Sequence, residues 1–341
     1  MSQIIQQALQ TVLDKQDLSS AQMEEAMLCI MQGEATPAQI AGFIIALRMK
    51  GETVDELAAA AQVMRNLSSK VSISASPLVD TCGTGGDGQK TFNISTASSI
   101  VAASAGVKIA KHGNRSVSSK SGSADVLEAL GVKLDLSPDQ IASCVEGVGI
   151  GFMFAPMHHS CMKHAIGPRK ELGVRTLFNL LGPLTNPANA KRQVMGVFDN
   201  QWLEPLANVL QSLGTEHALV VHAEDGLDEI SISSPTNISE LKQGEIRNYQ
   251  IKPEDFNLNG ASIADIQVEG VEQSAAIINA LLDGQQGAAA DIVCLNAGAA
   301  IYVAGKAETL AAGVQLARQQ LTTKAAKHIL AELVKFTNNN S

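Results

Sequence analysis

Aromatic residues are scarce in this chain, at 3% of 341 residues, whereas small residues such as alanine are abundant. Few bulky rings and many small side chains predict helices that pack closely together. The five cysteines are odd in number and contain no Cys-x-x-Cys pair, so neither a disulfide framework nor a cysteine zinc site is indicated. This cysteine content suits the reducing cytoplasm.

Positive charge is also in short supply, because 25 lysines and arginines face 34 acidic residues and the formal net charge is −9. Nucleic acids and anionic membranes attract basic surfaces, so neither is expected as a partner. The start has no basic segment followed by an apolar one, and no run reaches the roughly 18 apolar residues of a membrane span. We therefore expect an untargeted cytoplasmic protein.

The first 70 or so residues predict successive helices. The hydroxyl residues Ser19, Thr36 and Thr53 are each followed three positions later by Gln or Glu, which is the capping-box pattern at helix starts. After Pro77, short β-branched runs alternate with glycines and helical stretches, which predicts an α/β domain with a mainly parallel sheet. The predicted strands are LVDTC, VKIAK, GIGFMFA, QVMGVF, HALVVHA and DIVCL.

This change of pattern predicts two domains. The chain is long enough for each of them to bury a core. We place a helical domain at residues 1–72 and an α/β domain at residues 73–341, with the serine-rich stretch 68–77 as the connection.

The segment DTCGTGGDG at residues 80–88 concentrates glycine directly after a predicted strand and before a predicted helix. Glycines at such a junction let backbone N–H groups converge on an anion, and the helix dipole adds to the attraction. The segment fits neither the P-loop pattern nor the dinucleotide fingerprint. It predicts a phosphate site of another kind, with a plain glycine turn as the alternative.

A basic segment follows about thirty residues later. Between Cys82 and Ala124 the only acidic residue is Asp87, against five bases, and the sequence KHGNR begins at Lys111. Cations and hydroxyl groups together form strong charge-assisted hydrogen bonds, so this segment predicts binding of several phosphate groups. A solvated basic loop is the alternative.

Two further motifs complete the pattern. The predicted strand HALVVHA leads to Asp225, Asp228 and Glu229, and adjacent carboxylates at a strand end suit Mg²⁺ shared with substrate phosphates. Arg169 and Arg175 precede the apolar stretch NLLGPLTNP. An acidic surface turn and a basic helix start are the respective alternatives.

Taken in order, GTGGD, the following NIST, KHGNR, Arg169 before NLLGPLTNP, and Asp228-Glu229 resemble the anthranilate phosphoribosyltransferase family of tryptophan biosynthesis. The resemblance extends over nearly the whole chain, including MQGEAT and RMKGET in the helical part. It implies the fold shared with pyrimidine nucleoside phosphorylases, in which helices near residues 165–185 complete the helical domain. It also implies a homodimer formed through that domain.

The resemblance implies Mg²⁺-dependent transfer of the phosphoribosyl group of 5-phosphoribosyl 1-diphosphate to anthranilate. Ser95, Asp228 and Glu229 would hold Mg²⁺, while Gly83, Asn114 and Arg169 would contact anthranilate. Ser160-Cys161 after the histidine pair departs from the Pro-Ala of many relatives. The residues implied to bind phosphoribosyl diphosphate are Gly83, Gly86, Asp87, Thr91, Asn93, Ile94, Ser95, Thr96, Lys111, His112, Gly113, Asn114, Arg115, Ser116, Val117, Ser118, Ser119 and Ser123.

Two other functions fit the same scaffold. A nucleoside phosphorylase would use phosphate and a nucleoside, and a Lys-His-Ser type of segment close to the glycine turn would favour it. A nucleic-acid binder without enzymatic activity would need a basic groove, which the net charge of −9 and the Asp228-Glu229 pair oppose.

Overall fold

The computed structural model describes residues 2–115 and 121–340. The capping boxes predicted at Ser19, Thr36 and Thr53 are present. Each hydroxyl accepts the backbone N–H three residues on, and the backbone N–H of each cap residue donates to the Gln or Glu side chain at that position. These bonds satisfy N–H groups that have no partner within the helix, so the helices begin there. The first four helices are α1 (Ser2–Leu13), α2 (Ser20–Met31), α3 (Pro37–Lys50) and α4 (Val54–Leu67).

The remainder of the described chain alternates strands and helices around one sheet. The strands are β1 (Leu78–Thr81), β2 (Lys108–Gly113), β3 (Ile150–Phe154), β4 (Arg192–Gly196), β5 (His217–Ala223), β6 (Thr236–Lys242) and β7 (Glu245–Ile251). The helices are α5 (Ile94–Ser104), α6 (Ser123–Ala129), α7 (Pro138–Gly147), α8 (Ala155–His158), α9 (Lys163–Leu172), α10 (Leu177–Leu181), α11 (Leu203–Ser212), α12 (Val271–Leu282), α13 (Ala288–Val303), α14 (Leu310–Thr322) and α15 (Ala325–Asn339).

The sheet has the strand order β3-β2-β1-β4-β5-β6-β7. Strands β1 to β5 run parallel to one another. Strands β6 and β7 add an antiparallel edge next to β5. The chain leaves β1 towards β2 on one side and returns to β4 on the other, so the strand order reverses at β1. In such sheets a crevice opens at the carboxyl ends of the strands at this reversal point. The predicted glycine loop follows β1 and therefore lies there.

Two large apolar cores lie on opposite faces of the sheet. One contains α5, α13, α14 and α15 with inward residues such as Val194 and Leu219. The other joins the first four helices to α10, α11 and the opposite face of the same strands, through residues such as Met195 and Val220. Alternate residues of a strand point to opposite faces, so β4 and β5 are buried on both sides. The helical domain thus packs directly onto the α/β domain.

One strand prediction was wrong. The sequence DIVCL lies in α13, a 16-residue helix that is buried on nearly all sides. A helix surrounded by other elements has no polar face, so its short apolar runs resemble those of a buried strand. The antiparallel pair β6–β7 was not predicted, because β7 is largely exposed and mostly polar.

Small residues allow close contact between α13 and α14. A Cβ atom built on Gly313 would lie 2.3 Å from the carbonyl oxygen of Gly298. Close helix packing, expected from the abundance of small residues, therefore occurs at this pair. Across the described residues, no helix combines the length and the apolar character needed to cross a membrane.

Candidate active site

The loop after β1 needs its glycines for two separate reasons. Gly85 and Gly86 have φ angles of 65° and 80°, in the left-handed region that side chains other than glycine rarely adopt. A Cβ atom on Gly83 would lie 2.9 Å from Asp228 Oδ2 and 3.2 Å from the carbonyl oxygen of Gly196. The loop therefore lies against both the end of β4 and the acidic pair.

The N-terminus of α5 forms a second wall of the crevice. The side chain of Asn93 caps this helix by accepting the backbone N–H of Thr96 at 3.1 Å. The Lys111 ammonium group, from the end of β2, donates to the carbonyl oxygen of Thr81 at 2.6 Å and to Ser95 Oγ at 3.2 Å. Burial lowers the pKa of Lys111, while nearby acidic groups oppose that shift. A buried cation beside a helix N-terminus is a favourable environment for an anion.

Asp228 and Glu229 face this wall. Asp228 Oδ2 accepts the backbone N–H of Gly85 at 2.8 Å. Burial raises the pKa of both carboxyl groups, and repulsion from Asp87 adds to the shift at Asp228. At Glu229 repulsion from Asp228 also contributes, whereas Lys111 lowers the pKa. Carboxylates that repel one another inside a protein favour a cation between them.

A narrow cavity lies between the glycine loop and the first turn of α5. Its lining includes Thr81, Gly83, Ser95 and Glu229. The Ser95 hydroxyl and the Glu229 carboxylate thus face one space, and hard oxygen ligands of this kind suit Mg²⁺. The predicted metal ligands therefore have the right chemistry for the ion, and two of them line the same space.

The described residues that follow β2 contact helix α6. Gly113 packs closely, since a Cβ there would lie 2.3 Å from Ser123 Oγ, and Ser123 donates to the Asn114 carbonyl oxygen at 3.2 Å. Arg115 pairs with Asp125 of α6 at 2.8 Å and also with Glu128. The Arg115 guanidinium is therefore held by α6 acids in this structure. Ser116, Val117, Ser118 and Ser119, assigned to phosphoribosyl diphosphate from the resemblance, lie outside the described residues.

Arg169 lies in α9 with its guanidinium carbon 5.1 Å from the centre of the Phe178 ring. Burial lowers its pKa. Within the described part of the chain, no carboxylate pairs with this guanidinium. A partly desolvated guanidinium held on an aromatic ring is well suited to bind a carboxylate through paired hydrogen bonds.

Two histidines form a buried pair beside β2. The ring centres of His112 and His159 are 5.2 Å apart, and all four ring nitrogens are buried. Burial lowers the pKa of His112 well below its usual range and that of His159 to about 4, with charge repulsion among the histidines adding to both shifts. Both rings are therefore neutral at physiological pH.

A buried aspartate supports this region. Asp80 accepts the His112 backbone N–H at 3.1 Å and the Asn186 side-chain amide at 2.8 Å. Burial raises the pKa of Asp80 to about 6. Asp80, Asn186 and the pairing of His112 with His159 were not predicted from the sequence. The signal that could have indicated Asp80 is the position of an acidic residue within the otherwise apolar predicted strand LVDTC.

The comparisons with known proteins cover nearly the whole chain. Residues 6–68 match the model described as "Glycosyl transferase family, helical bundle domain", and residues 75–327 match "Glycosyl transferase family, a/b domain". The chain is 60% identical over 333 residues to the anthranilate phosphoribosyltransferase of Thioalkalivibrio sulfidiphilus, covering 98% of each protein. The enzyme of the same name from Marinomonas sp. is 60% identical over 335 residues, covering 98% of this chain and 97% of that protein.

The chain belongs to the anthranilate phosphoribosyltransferase family. A solved family member from Thermus thermophilus is 42% identical, with a TM-score of 0.92 and coverage of 97% of this chain and 99% of that one. The Saccharomyces cerevisiae enzyme, solved in complex with PRPP and Mg, has the same fold at 24% identity, with a TM-score of 0.90 and 99% coverage of both chains.

Membership of the anthranilate phosphoribosyltransferase family confirms several predictions. The family inferred from the ordered motifs is correct, and so is the fold of a helical domain with an α/β domain around a mostly parallel sheet. The chain is an enzyme of the pentosyltransferase class.

The structure brings five of the predicted site residues together at one crevice. Gly83, Ser95, Lys111, Asp228 and Glu229 converge on the crevice at the end of β1. The side chains of Ile94 and Thr96 are buried, and the Thr96 backbone N–H donates to the Asn93 side chain. Thr91 forms an isolated bridge with Gln267.

Proposed function

We propose that this protein catalyses Mg²⁺-dependent transfer of the phosphoribosyl group of 5-phosphoribosyl 1-diphosphate to anthranilate. The products are N-(5-phosphoribosyl)anthranilate and diphosphate, in the second step from chorismate to L-tryptophan. One observation carries the proposal. The glycine loop, the N-terminus of α5, Lys111 and the Asp228-Glu229 pair meet at one crevice, where they can bind phosphates and a metal ion.

The phosphate-binding side follows from these groups. Backbone N–H groups of the glycine loop and of the first turn of α5 would bind the diphosphate, together with Lys111. Ser95, Asp228 and Glu229 would hold Mg²⁺, and the bound ion would neutralise charge that develops on the departing diphosphate. The Saccharomyces cerevisiae complex with PRPP and Mg supports this assignment by analogy.

The acceptor side would use Arg169 for the carboxylate of anthranilate, with Gly83 and Asn114 beside it. The Saccharomyces cerevisiae enzyme solved with 4-fluoroanthranilate provides a further analogy.

Catalysis would then depend on position and charge. An aryl amine is largely neutral at pH 7, so its nitrogen can attack without a strong general base. The C1–N bond forms as the C1–O bond to diphosphate breaks, and the nitrogen then transfers one proton to solvent water. The chain's own contribution is to hold the two substrates in line and to offer Lys111 and backbone N–H groups to the leaving diphosphate.

A fluorescence assay tests the proposal. Anthranilate fluorescence should fall when the protein is mixed with 5-phosphoribosyl 1-diphosphate and Mg²⁺, and a chelator should stop the decrease. A protein that leaves anthranilate unchanged but cleaves thymidine or uridine with phosphate would instead be a nucleoside phosphorylase.

We further propose that the protein forms a homodimer through the helical domain. This domain is proposed to comprise residues 1–72 together with the helices near residues 165–185. Leu13 and Met49 of the first helices are 60% and 83% exposed, which makes them candidate contacts for such an interface. Light scattering should give twice the chain mass of 35.7 kDa. Met49→Glu should shift the protein towards the monomer, and a wild-type monomer would contradict the proposal.

A further inference from the structure

Arg175 joins the helical domain to the glycine loop. It lies in the connection between α9 and α10, and the residues that follow it, Leu177 and Phe178, belong to the core shared with the first four helices. Arg48 of α3 donates a hydrogen bond from its guanidinium to the Arg175 carbonyl oxygen. The backbone of Arg175 is therefore fixed by the helical domain.

The side chain of Arg175 extends to the α/β domain. Its Nη2 donates to the carbonyl oxygen of Gly86, and its guanidinium carbon lies 4.1 Å from the centre of the Phe198 ring. The Phe198 backbone N–H in turn donates to Thr84 Oγ1 at 3.0 Å. Arg175 thus contacts both the middle of the glycine loop and the aromatic residue that supports its start.

The other anchors of this loop come from the α/β domain itself. Thr84 N–H donates to the Gly196 carbonyl oxygen at 2.9 Å, Gly85 N–H to Asp228 at 2.8 Å, and the Gln89 amide to the Asp225 carbonyl oxygen at 2.6 Å. The hydrogen bond from the Arg175 side chain differs from these, because Arg175 is itself held by α3 of the helical domain.

This bond determines the orientation of one peptide group. In a trans peptide the C=O and the next N–H point in opposite directions. When Arg175 holds the Gly86 carbonyl oxygen, the Asp87 N–H must point away from the arginine. Gly86 has a φ of 80° and no side chain, so its own sterics restrict this peptide less than those of any other residue would.

We propose that Arg175 is a positioning residue that sets the Gly86–Asp87 peptide for diphosphate binding and thereby couples the position of the helical domain to the phosphate site. The kinetic part of this inference rests on the proposed function. Arg175 acts through the loop rather than by touching the substrate. Lysine would keep the hydrogen bond but lose the planar contact with Phe198.

Hydrogen–deuterium exchange of the full-length, ligand-free protein tests the structural part. Arg175→Ala should speed exchange in peptides covering residues 82–91 by about tenfold, a change that corresponds to about 1.4 kcal/mol. Arg175→Lys should give an intermediate rate. Phe198→Leu removes the ring but leaves the hydrogen bond, so it should increase exchange less than Arg175→Ala. Arg247→Ala, which removes an exposed arginine paired with Glu245, is the matched control.

Steady-state kinetics tests the functional part. Arg175→Ala should raise the KM for 5-phosphoribosyl 1-diphosphate by about tenfold and change the KM for anthranilate by less than about twofold. Arg175→Lys should recover part of the loss. Unchanged exchange at residues 82–91, or equal increases in both KM values, would overturn the inference. If the wild type consumes no anthranilate, the proposed function fails, but the exchange experiment still decides the role of Arg175.

Discussion

The backbone N–H of Gly85 donates a 2.8 Å hydrogen bond to Oδ2 of Asp228, so the glycine loop and the acidic pair form one structure although 143 positions separate them in the chain. The carboxylate thereby orients the loop, and the loop N–H stabilises the ionised carboxylate. A change on either side should therefore affect the other.

The metal site gives the first prediction. Replacing Asp228 and Glu229 together by alanine should lower turnover and raise the Mg²⁺ concentration needed for half-maximal rate, because two oxygen ligands are lost. Rates measured across a range of Mg²⁺ concentrations check this. The exposed adjacent acids Glu24 and Glu25, replaced in the same way, are the matched control. An unchanged Mg²⁺ dependence would show that the acidic pair does not bind the ion.

The raised pKa values of this pair predict a pH-dependent effect of Mg²⁺ on stability. Because folding raises them, the metal-free folded state holds protons that the unfolded chain has released, so its free energy of unfolding falls as pH rises towards the raised pKa values. Mg²⁺ requires the deprotonated carboxylates, so its stabilising effect grows over the same range.

Saturating Mg²⁺ should therefore raise Tm more at about pH 8 than at about pH 6. Thermal unfolding followed by circular dichroism, with and without the ion, checks this. The double alanine variant should lose the difference. An equal Mg²⁺-dependent rise at both pH values in the wild type would refute the assignment.

Arg169 gives a prediction on the acceptor side. A hydrogen bond to a charged group contributes about 1.5–3 kcal/mol, so Arg169→Ala should weaken apparent anthranilate binding by about 10- to 150-fold. The KM for 5-phosphoribosyl 1-diphosphate should change much less, because the glycine loop and Lys111 are intact. Arg169→Lys should restore little, since lysine lacks the planar pair of donors. Equal effects on both substrates, measured by steady-state kinetics, would exclude this role.

Gly83 offers a steric prediction. An added methyl group would lie 2.9 Å from Asp228 Oδ2 and 3.2 Å from the Gly196 carbonyl oxygen. Gly83→Ala should therefore displace the carboxylate, weaken Mg²⁺ activation and reduce the free energy of unfolding by about 1–3 kcal/mol. Denaturant unfolding and Mg²⁺ titration of the rate check both effects. Gly147→Ala, at a position with open space around the added atom, is the matched control. Wild-type behaviour of Gly83→Ala would contradict the proposed closeness of the loop to Asp228.

Some features of this protein could be predicted from the sequence because they depend on neighbouring residues. The helix starts at Ser19, Thr36 and Thr53 rest on hydrogen bonds within four residues, and the structure contains each of them. The alternation of apolar strands with glycines and helices indicated the parallel sheet, and the ordered motifs indicated the family.

Other features were decided by tertiary packing. Residues 291–295 form part of a helix because α5, α14 and the sheet surround them, and no polar face marks that helix in the sequence. Edge strand β7 pairs with β6 mainly through its backbone, which an exposed polar sequence does not reveal.

The site shows the same division. The sequence by itself identified the glycine loop, Lys111, Arg169 and the acidic pair as separate groups with suitable chemistry. Only the tertiary structure brought Gly85 to Asp228, paired His112 with His159 and placed Arg175 on Gly86. These contacts join distant segments, and their geometry depends on how the strands order themselves and how the helical domain packs, which local residue patterns do not encode.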